Sequence, residues 1–190
     1  MKTQILLTVI IVSVISTGSM AQNFDFRNTK WGMDTLQVKR AEISKLAFSK
    51  NNSLVYNGKL GDLDTRIVYD FNLSNQLCHT AYLIIVNSKN PQTYVSTFLL
   101  LQELLTKKYK EPYFKITSTI NGKVINQDEW ASNLISDNLN LETKWRSGKT
   151  DIVLSLFSIN DILNIEINYT VIETDKKDIE EKNAEMLKGL

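Results

Sequence analysis

Nucleophilic and metal-binding side chains are scarce in this chain. Cys78 is the only cysteine, and His79, directly after it, is the only histidine. A cysteine and a histidine can act together as nucleophile and base, but neighbouring side chains on a strand point to opposite faces of a sheet. The pair is therefore not predicted to be catalytic, and zinc sites built from these two ligand types are excluded.

Acidic and amide side chains form two short clusters with ligands suited to a hard cation such as calcium. Asp62 and Asp64 share a face if their segment is extended, and so do Asn138, Asn140 and Glu142. Neither cluster has the glycine and the full ligand set of a calcium-binding hand. Solvated turn residues are the favoured interpretation, so no metal site and no cofactor are predicted.

The catalytic motifs of common enzyme classes are missing from the sequence. It contains no phosphate-binding loop, no dinucleotide-binding glycine pattern and no nucleophile elbow. No catalytic residue is therefore predicted, and a non-enzymatic protein is favoured. The alternative is a hydrolase that acts on envelope polymers through carboxylates such as Glu42, Asp62 and Asp64, although these lie outside any recognisable motif.

Trp31-Gly32-Met33 is the segment most like a motif, and it precedes a short helix. Gly32 permits a sharp turn that keeps Trp31 close to the backbone, and Met33 can fill the gap ahead of the helix. We interpret the step as a plug between helix and sheet; an aromatic platform for a sugar or a peptide is the alternative. Trp31, Gly32, Met33 and Trp145 are therefore predicted to be structural anchors.

The N-terminal residues have the three parts of a secretory signal peptide. Lys2 is followed by an apolar core at 5–15 and by Ser19-Met20-Ala21. The core is too short to span a bilayer comfortably. We predict cleavage after Ala21, export to the periplasm or the extracellular space, and no transmembrane segment in the mature chain. With one cysteine there is no internal disulfide.

The charge of the chain is balanced, with 22 basic and 21 acidic residues. Lys2 is the only charged residue of the predicted signal peptide. A nucleic-acid-binding protein normally has a basic excess or stripe, so nucleic acid is not a predicted partner. The length favours a single domain, which we place at 22–174.

Hydrophobic periodicity predicts the elements. A helix is expected over Asp34–Ser44, where Asp34 and Gln37 can form a capping box. Its apolar side consists of Leu36, Ala41 and Ile43. Alternating apolar residues predict three strands between Leu54 and Val86 and further strands after Tyr113.

A long helix is predicted between Pro91 and Pro112. Its apolar stripe consists of Tyr94, Phe98, Leu101, Leu105 and Tyr109, widened by Val95, Leu99, Leu100 and Leu104. The natural packing is an α+β domain in which one antiparallel sheet has helices on one face, in two successive helix-plus-meander units.

The charged tail, 175–190, is predicted to be helical. Ile179, Met186 and Leu190 form a narrow stripe on it that could contact a partner. A solvated end without a role is the alternative.

The start of the mature chain resembles a family of uncharacterised exported bacterial domains. The shared pattern is Phe-Arg-x-x-x-Trp-Gly-Met, a short helix, a valine and a glutamate. It falls on Phe26, Arg27, Trp31, Gly32, Met33, Val38 and Glu42. The Lys-Tyr-Lys-Glu-Pro segment at 108–112 and Trp145 also fit. The resemblance implies an exported α+β domain and brings no activity.

A weaker resemblance is to small outer-membrane assembly lipoproteins, in which Gly-Met precedes a helix containing valine. This chain lacks their lipid-bearing cysteine and their Gly-x-Pro. Taken together, the sequence predicts an exported protein that binds a protein, a peptide or an envelope component through its sheet or the edge of the sheet.

Overall fold

The computed structural model describes residues 24–116, 119–120, 123–136 and 138–172. They form an α+β fold in which three helices pack against an eight-stranded antiparallel sheet, so the predicted fold class is confirmed. The predicted signal peptide lies outside the described residues. So does the predicted tail helix with Ile179, Met186 and Leu190.

Helices and strands follow one another in two successive groups. The first group is α1 (Thr35–Ala41), β1 (Lys45–Lys50), β2 (Ser53–Leu60), β3 (Leu63–Phe71) and β4 (Leu77–Ile84). The second begins with α2 (Pro91–Tyr109), β5 (Phe114–Ile116), β6 (Thr119–Ile120) and β7 (Lys123–Val124). It continues with a 3-10 turn (Gln127–Glu129), α3 (Trp130–Ile135), β8 (Leu141–Ser147), β9 (Thr150–Ile159) and β10 (Ile162–Val171).

The large sheet has the strand order β1-β2-β3-β4-β10-β9-β8-β5, and β6 and β7 form a separate hairpin. Each group thus supplies one helix-led meander, and the two meanders join where β4 pairs with β10. β1 is missing from the sequence-based prediction. All six of its residues are exposed, so it lacks the alternation of burial by which a half-buried strand is recognised.

Helix α1 begins with the predicted capping box. The Gln37 N–H donates to the Asp34 side chain at 2.8 Å, and the Asp34 N–H donates to the Gln37 side chain at 2.9 Å. The predicted apolar side is wrong, because Leu36 and Ile43 are largely exposed and Val38 is the fully buried residue. The helix ends at Ala41, so the chain can already turn into β1 at position 45.

Helix α2 covers the second meander and packs against β8, β9 and β10. Its buried residues are Val95, Phe98, Leu101 and Leu105, as the stripe predicts. The segment before α1 covers the first meander, where the Phe26 ring lies 5.6 Å from Tyr69 and 5.0 Å from Tyr82. Within the described residues, no helix is both long and apolar enough to cross a membrane.

Candidate functional site

A groove of about 1170 Å³ lies between α2 and the segment 24–27 that precedes α1. Its floor includes Tyr82 of β4 with Ile167 and Tyr169 of β10, the two strands at which the meanders join. The β2–β3 turn and the β8–β9 turn also line it. The strand registers place these two turns at opposite ends of the sheet, so the groove follows the strands.

Helix α2 gives the groove an apolar wall. Leu100 and Leu104 line it and are each 50% exposed, whereas Leu101 and Leu105, next to them, are buried in the core. The sequence analysis assigns all four to one core-facing stripe. The width of that stripe could have indicated that part of it stays exposed, because a helix packed on one sheet buries only part of so wide an apolar surface.

Charged and hydroxyl groups lie at the two ends of the groove. Lys149, in the β8–β9 turn, and Lys108, near the end of α2, line one end, and Asp62, in the β2–β3 turn, lines the other. The Tyr109 hydroxyl reaches Tyr169, and burial together with this neighbour raises the pKa of Tyr169. The groove therefore has charged groups at both ends and an apolar wall on α2, and Arg27, from the segment before α1, adds a charge beside Tyr82 on the floor.

Arg27 lines the groove and is held by the buried Glu42. Its Nε and Nη2 donate to the two carboxylate oxygens at 2.8 Å and 3.2 Å, and the Ser44 N–H and the Tyr69 hydroxyl donate to the same carboxylate. Burial alone would raise the pKa of Glu42, but the bonds from Tyr69, Ser44 and Arg27 outweigh it and lower that pKa. Glu42 stays ionised and saturated with donors, which leaves it ill-suited to exchange protons with a substrate.

This ion pair joins three distant parts of the chain. Arg27 precedes α1, Glu42 follows it, and Tyr69 lies on β3. Arg27 and Glu42 both lie in the segment around the Trp-Gly-Met step, but no local spacing indicates that Tyr69 completes the cluster. The cluster fixes the segment that forms one side of the groove.

The Trp-Gly-Met step attaches the same segment to both meanders. The Trp31 indole N–H donates to Thr150 of β9 at 2.9 Å. The Gly32 N–H donates to the Leu77 carbonyl at 2.9 Å, and the Leu77 N–H returns a bond to the Met33 carbonyl at 2.8 Å. Gly32 has φ +83°, a conformation that side chains with a Cβ disfavour.

The four predicted anchors differ in burial. Trp145 is fully buried in β8, and its indole N–H has no partner among the described residues. Trp31 and Met33 are only partly buried and pack against the edge of the core. The Trp31 ring is held both by packing against the core and by the hydrogen bond of its indole N–H to Thr150.

Cys78 and His79 belong to β4. The His79 ring lies on the face opposite the groove, with Nδ1 2.8 Å from Asp70 and Nε2 3.1 Å from the Asn168 side-chain oxygen. The bond to Asp70 raises the pKa of His79. Because both ring nitrogens face oxygen acceptors, neither is available as a base for the Cys78 thiol, which contacts the Asp70 carbonyl at 3.6 Å.

The predicted carboxylate clusters are not assembled into a cation site. Asp64 pairs with Lys59 at 3.2 Å, and Glu142 pairs with Lys144 at 2.9 Å, whereas Asp62 lines the groove. Among the described residues, no group of three or more histidine, cysteine, aspartate or glutamate side chains is placed to share a metal ion.

Comparisons of the sequence with models of protein families, with curated proteins and with solved structures find no match. A function is therefore inferred from the groove and the residues around it.

Proposed function

We propose that this chain is an exported, non-enzymatic binding protein that holds an elongated amphiphilic ligand in the groove. The observation that carries the proposal is the half-exposed pair Leu100 and Leu104 above a tyrosine-lined floor. Burying a fully exposed leucine is worth roughly 1.5–3 kcal/mol. Leu100 and Leu104 are each half exposed, so covering both would contribute about as much as burying one whole leucine.

The distribution of polar groups supports an amphiphile over a purely apolar ligand. Lys108 and Lys149 line one end and Asp62 lines the other, while Arg27 lies beside Tyr82 on the floor. A long ligand would therefore meet the apolar wall of α2 on one side and charged groups at its ends and along the segment before α1. The volume of about 1170 Å³ is slightly above the range of ordinary ligand pockets, roughly 300–1,000 Å³, which suits a long ligand.

Export is supported by the predicted signal peptide and by the resemblance to exported bacterial domains. In cells that export the protein, the intact mass should correspond to a chain that begins at Gln22. A mass that includes Lys2 would contradict cleavage after Ala21.

Ligand binding can be tested with N-phenyl-1-naphthylamine, whose fluorescence rises in apolar surroundings, followed by displacement with palmitate. Leu104→Glu should weaken binding of the probe by about tenfold or more, because it puts a charge on the apolar wall. Leu73→Glu is the matched control, since Leu73 is fully exposed in the β3–β4 turn and does not line the groove. Equal binding by the two variants, or no binding by the unmodified protein, would overturn the proposal.

A further inference from the structure

β1 forms one edge of the eight-stranded sheet, and within the described residues it pairs with β2 alone. All six of its residues are exposed. An edge strand presents a row of backbone N–H and C=O groups that can pair with a strand from another chain. The free edge is therefore a ready template for one more strand.

Exposed apolar side chains occur along this edge. Ile43 is 85% exposed, Phe48 55% and Leu46 41%. The register shifts between Leu46, which lies opposite Tyr56, and Phe48, which lies opposite Val55. Tyr56 and Val55 are neighbours on β2, so their side chains lie on opposite faces of the sheet. Leu46 and Phe48 therefore also lie on opposite faces, and each can contact the side chains that an added strand places on its own face.

Basic residues occur in β1 and in the helix that precedes it. Lys39 and Arg40 form the last turn of α1, and Lys45 and Lys50 are the first and last residues of β1. None of the four takes part in an ion pair among the described residues. The only acidic residue in 39–50 is Glu42, which is buried against Arg27.

These charges disfavour a second copy of this chain as the added strand. If two β1 strands paired antiparallel over all six residues about a two-fold axis, Lys45 of one copy would lie opposite Lys50 of the other. In a parallel pair in register, each lysine would lie beside its own equivalent. Like charges across a strand pair are destabilising, whereas acidic residues at those positions would be attracted.

We propose that β1 is the docking edge for an extended acidic and apolar segment of another protein, which adds a ninth strand to the sheet. Backbone pairing supplies much of the affinity, as in other cases of strand addition. Lys45 and Lys50 select acidic residues, and Leu46 and Phe48 select apolar ones. The inference concerns a protein partner and is independent of the groove.

The probe for the test is a fluorescein-labelled peptide, Glu-Val-Glu-Ile-Glu-Val, followed by fluorescence anisotropy. Two control peptides are used. One has lysine in place of each glutamate, and the other keeps the charges but has proline in place of the central isoleucine, which removes a donor from the ladder. We expect only the acidic, proline-free peptide to bind, with an affinity that falls as salt is raised.

The Lys45→Glu/Lys50→Glu variant should weaken this binding by about tenfold or more. The matched control is Lys89→Glu/Lys110→Glu, which changes two exposed lysines away from β1 by the same charge and should bind as the unmodified protein does. Circular dichroism of both variants verifies that the fold is retained.

Three outcomes would overturn the proposal: equal binding of the acidic and the basic peptide, binding of the proline peptide as tight as that of its parent, or equal affinity of the two lysine variants for the acidic peptide. A dimer that is found by sedimentation and lost on Phe48→Glu would also overturn it, because the second copy would then be the occupant.

Discussion

Replacing Glu42 with glutamine removes the charge at the centre of the cluster that holds the segment before α1. The Glu42 side chain is 1% exposed and accepts hydrogen bonds from Arg27, Ser44 and Tyr69. The amide of glutamine has only one acceptor oxygen, and its NH2 group must face at least one of these donors. The substitution therefore leaves the partly buried Arg27 guanidinium without its counter-charge.

The expected cost follows from this geometry. Removing one partner of a fully buried ion pair costs about 3–5 kcal/mol, and the loss should lie near the lower end of that range because the Arg27 side chain is 22% exposed. Domains of ordinary stability unfold with about 5–15 kcal/mol, so a large part of the total would be lost. With a urea m-value of about 2 kcal/mol/M, the unfolding midpoint should fall by about 1.5 M.

Urea unfolding followed by tryptophan fluorescence measures this shift. Glu103→Gln is the matched control, because Glu103 makes the exposed i,i+4 pair with Lys107 and its loss should leave the midpoint unchanged. The double variant Arg27→Met/Glu42→Gln should be more stable than the sum of the two single losses predicts, since the two residues interact directly.

The reasoning is refuted if Glu42→Gln moves the midpoint no more than Glu103→Gln does. Strictly additive losses in the double variant would also count against it, because they would mean that Arg27 and Glu42 do not stabilise each other. Acidification offers an independent test. The pKa of Glu42 is lowered by folding, so its contribution is present above the ordinary value of 4.5 and is lost as pH falls through the folded value.

Further predictions concern the anchors and the opposite face of the sheet, each measured by urea unfolding. Trp31→Phe removes the donor to Thr150 and should cost about 1 kcal/mol; a loss above about 3 kcal/mol would show that packing dominates. Gly32→Ala should cost about 1 kcal/mol or more through backbone strain alone, since a Cβ at Gly32 meets no atom within 4 Å; an unchanged midpoint would contradict this. The pKa of His79 is raised above its ordinary 6.5 by Asp70, and the pKa of Asp70 is held below its ordinary 3.8, so their pair stabilises fully between about pH 3.8 and pH 6.5. Above that window the stabilisation is lost as pH rises through the folded value of His79, and His79→Gln should flatten that decline.

Several features could be predicted because they depend on residues close together in the chain. The capping box of α1 spans three positions, and the buried stripe of α2 repeats every three or four. The clean alternation along β10 likewise indicates a strand with one buried face. In each case the geometry of a single helix or strand fixes which side chains share a face from their spacing in the sequence. The sequence alone is therefore sufficient to predict these features.

Other features could not be predicted, because they depend on which residues from distant parts of the chain pack against each other. Leu100 and Leu104 have the same helical spacing as their buried neighbours, and only the position of the segment before α1 leaves them beside a groove. Tyr69 reaches Glu42 from 27 positions away, and Trp31 reaches Thr150 from 119 positions away. No local period carries information about such pairs.

By itself, therefore, the sequence determined the fold class, the balance of charge, the scarcity of catalytic side chains and the course of α2, since these follow from composition and short-range periodicity. The tertiary structure alone decided which apolar residues remain exposed, which carboxylate is buried and which strand forms the free edge. The physical reason is that strand order and register are set by long-range pairing. The antiparallel contact between β4 and β10 brings together two meanders that are separated in sequence by α2 and the strands after it, and the groove depends on that contact because both strands contribute to its floor.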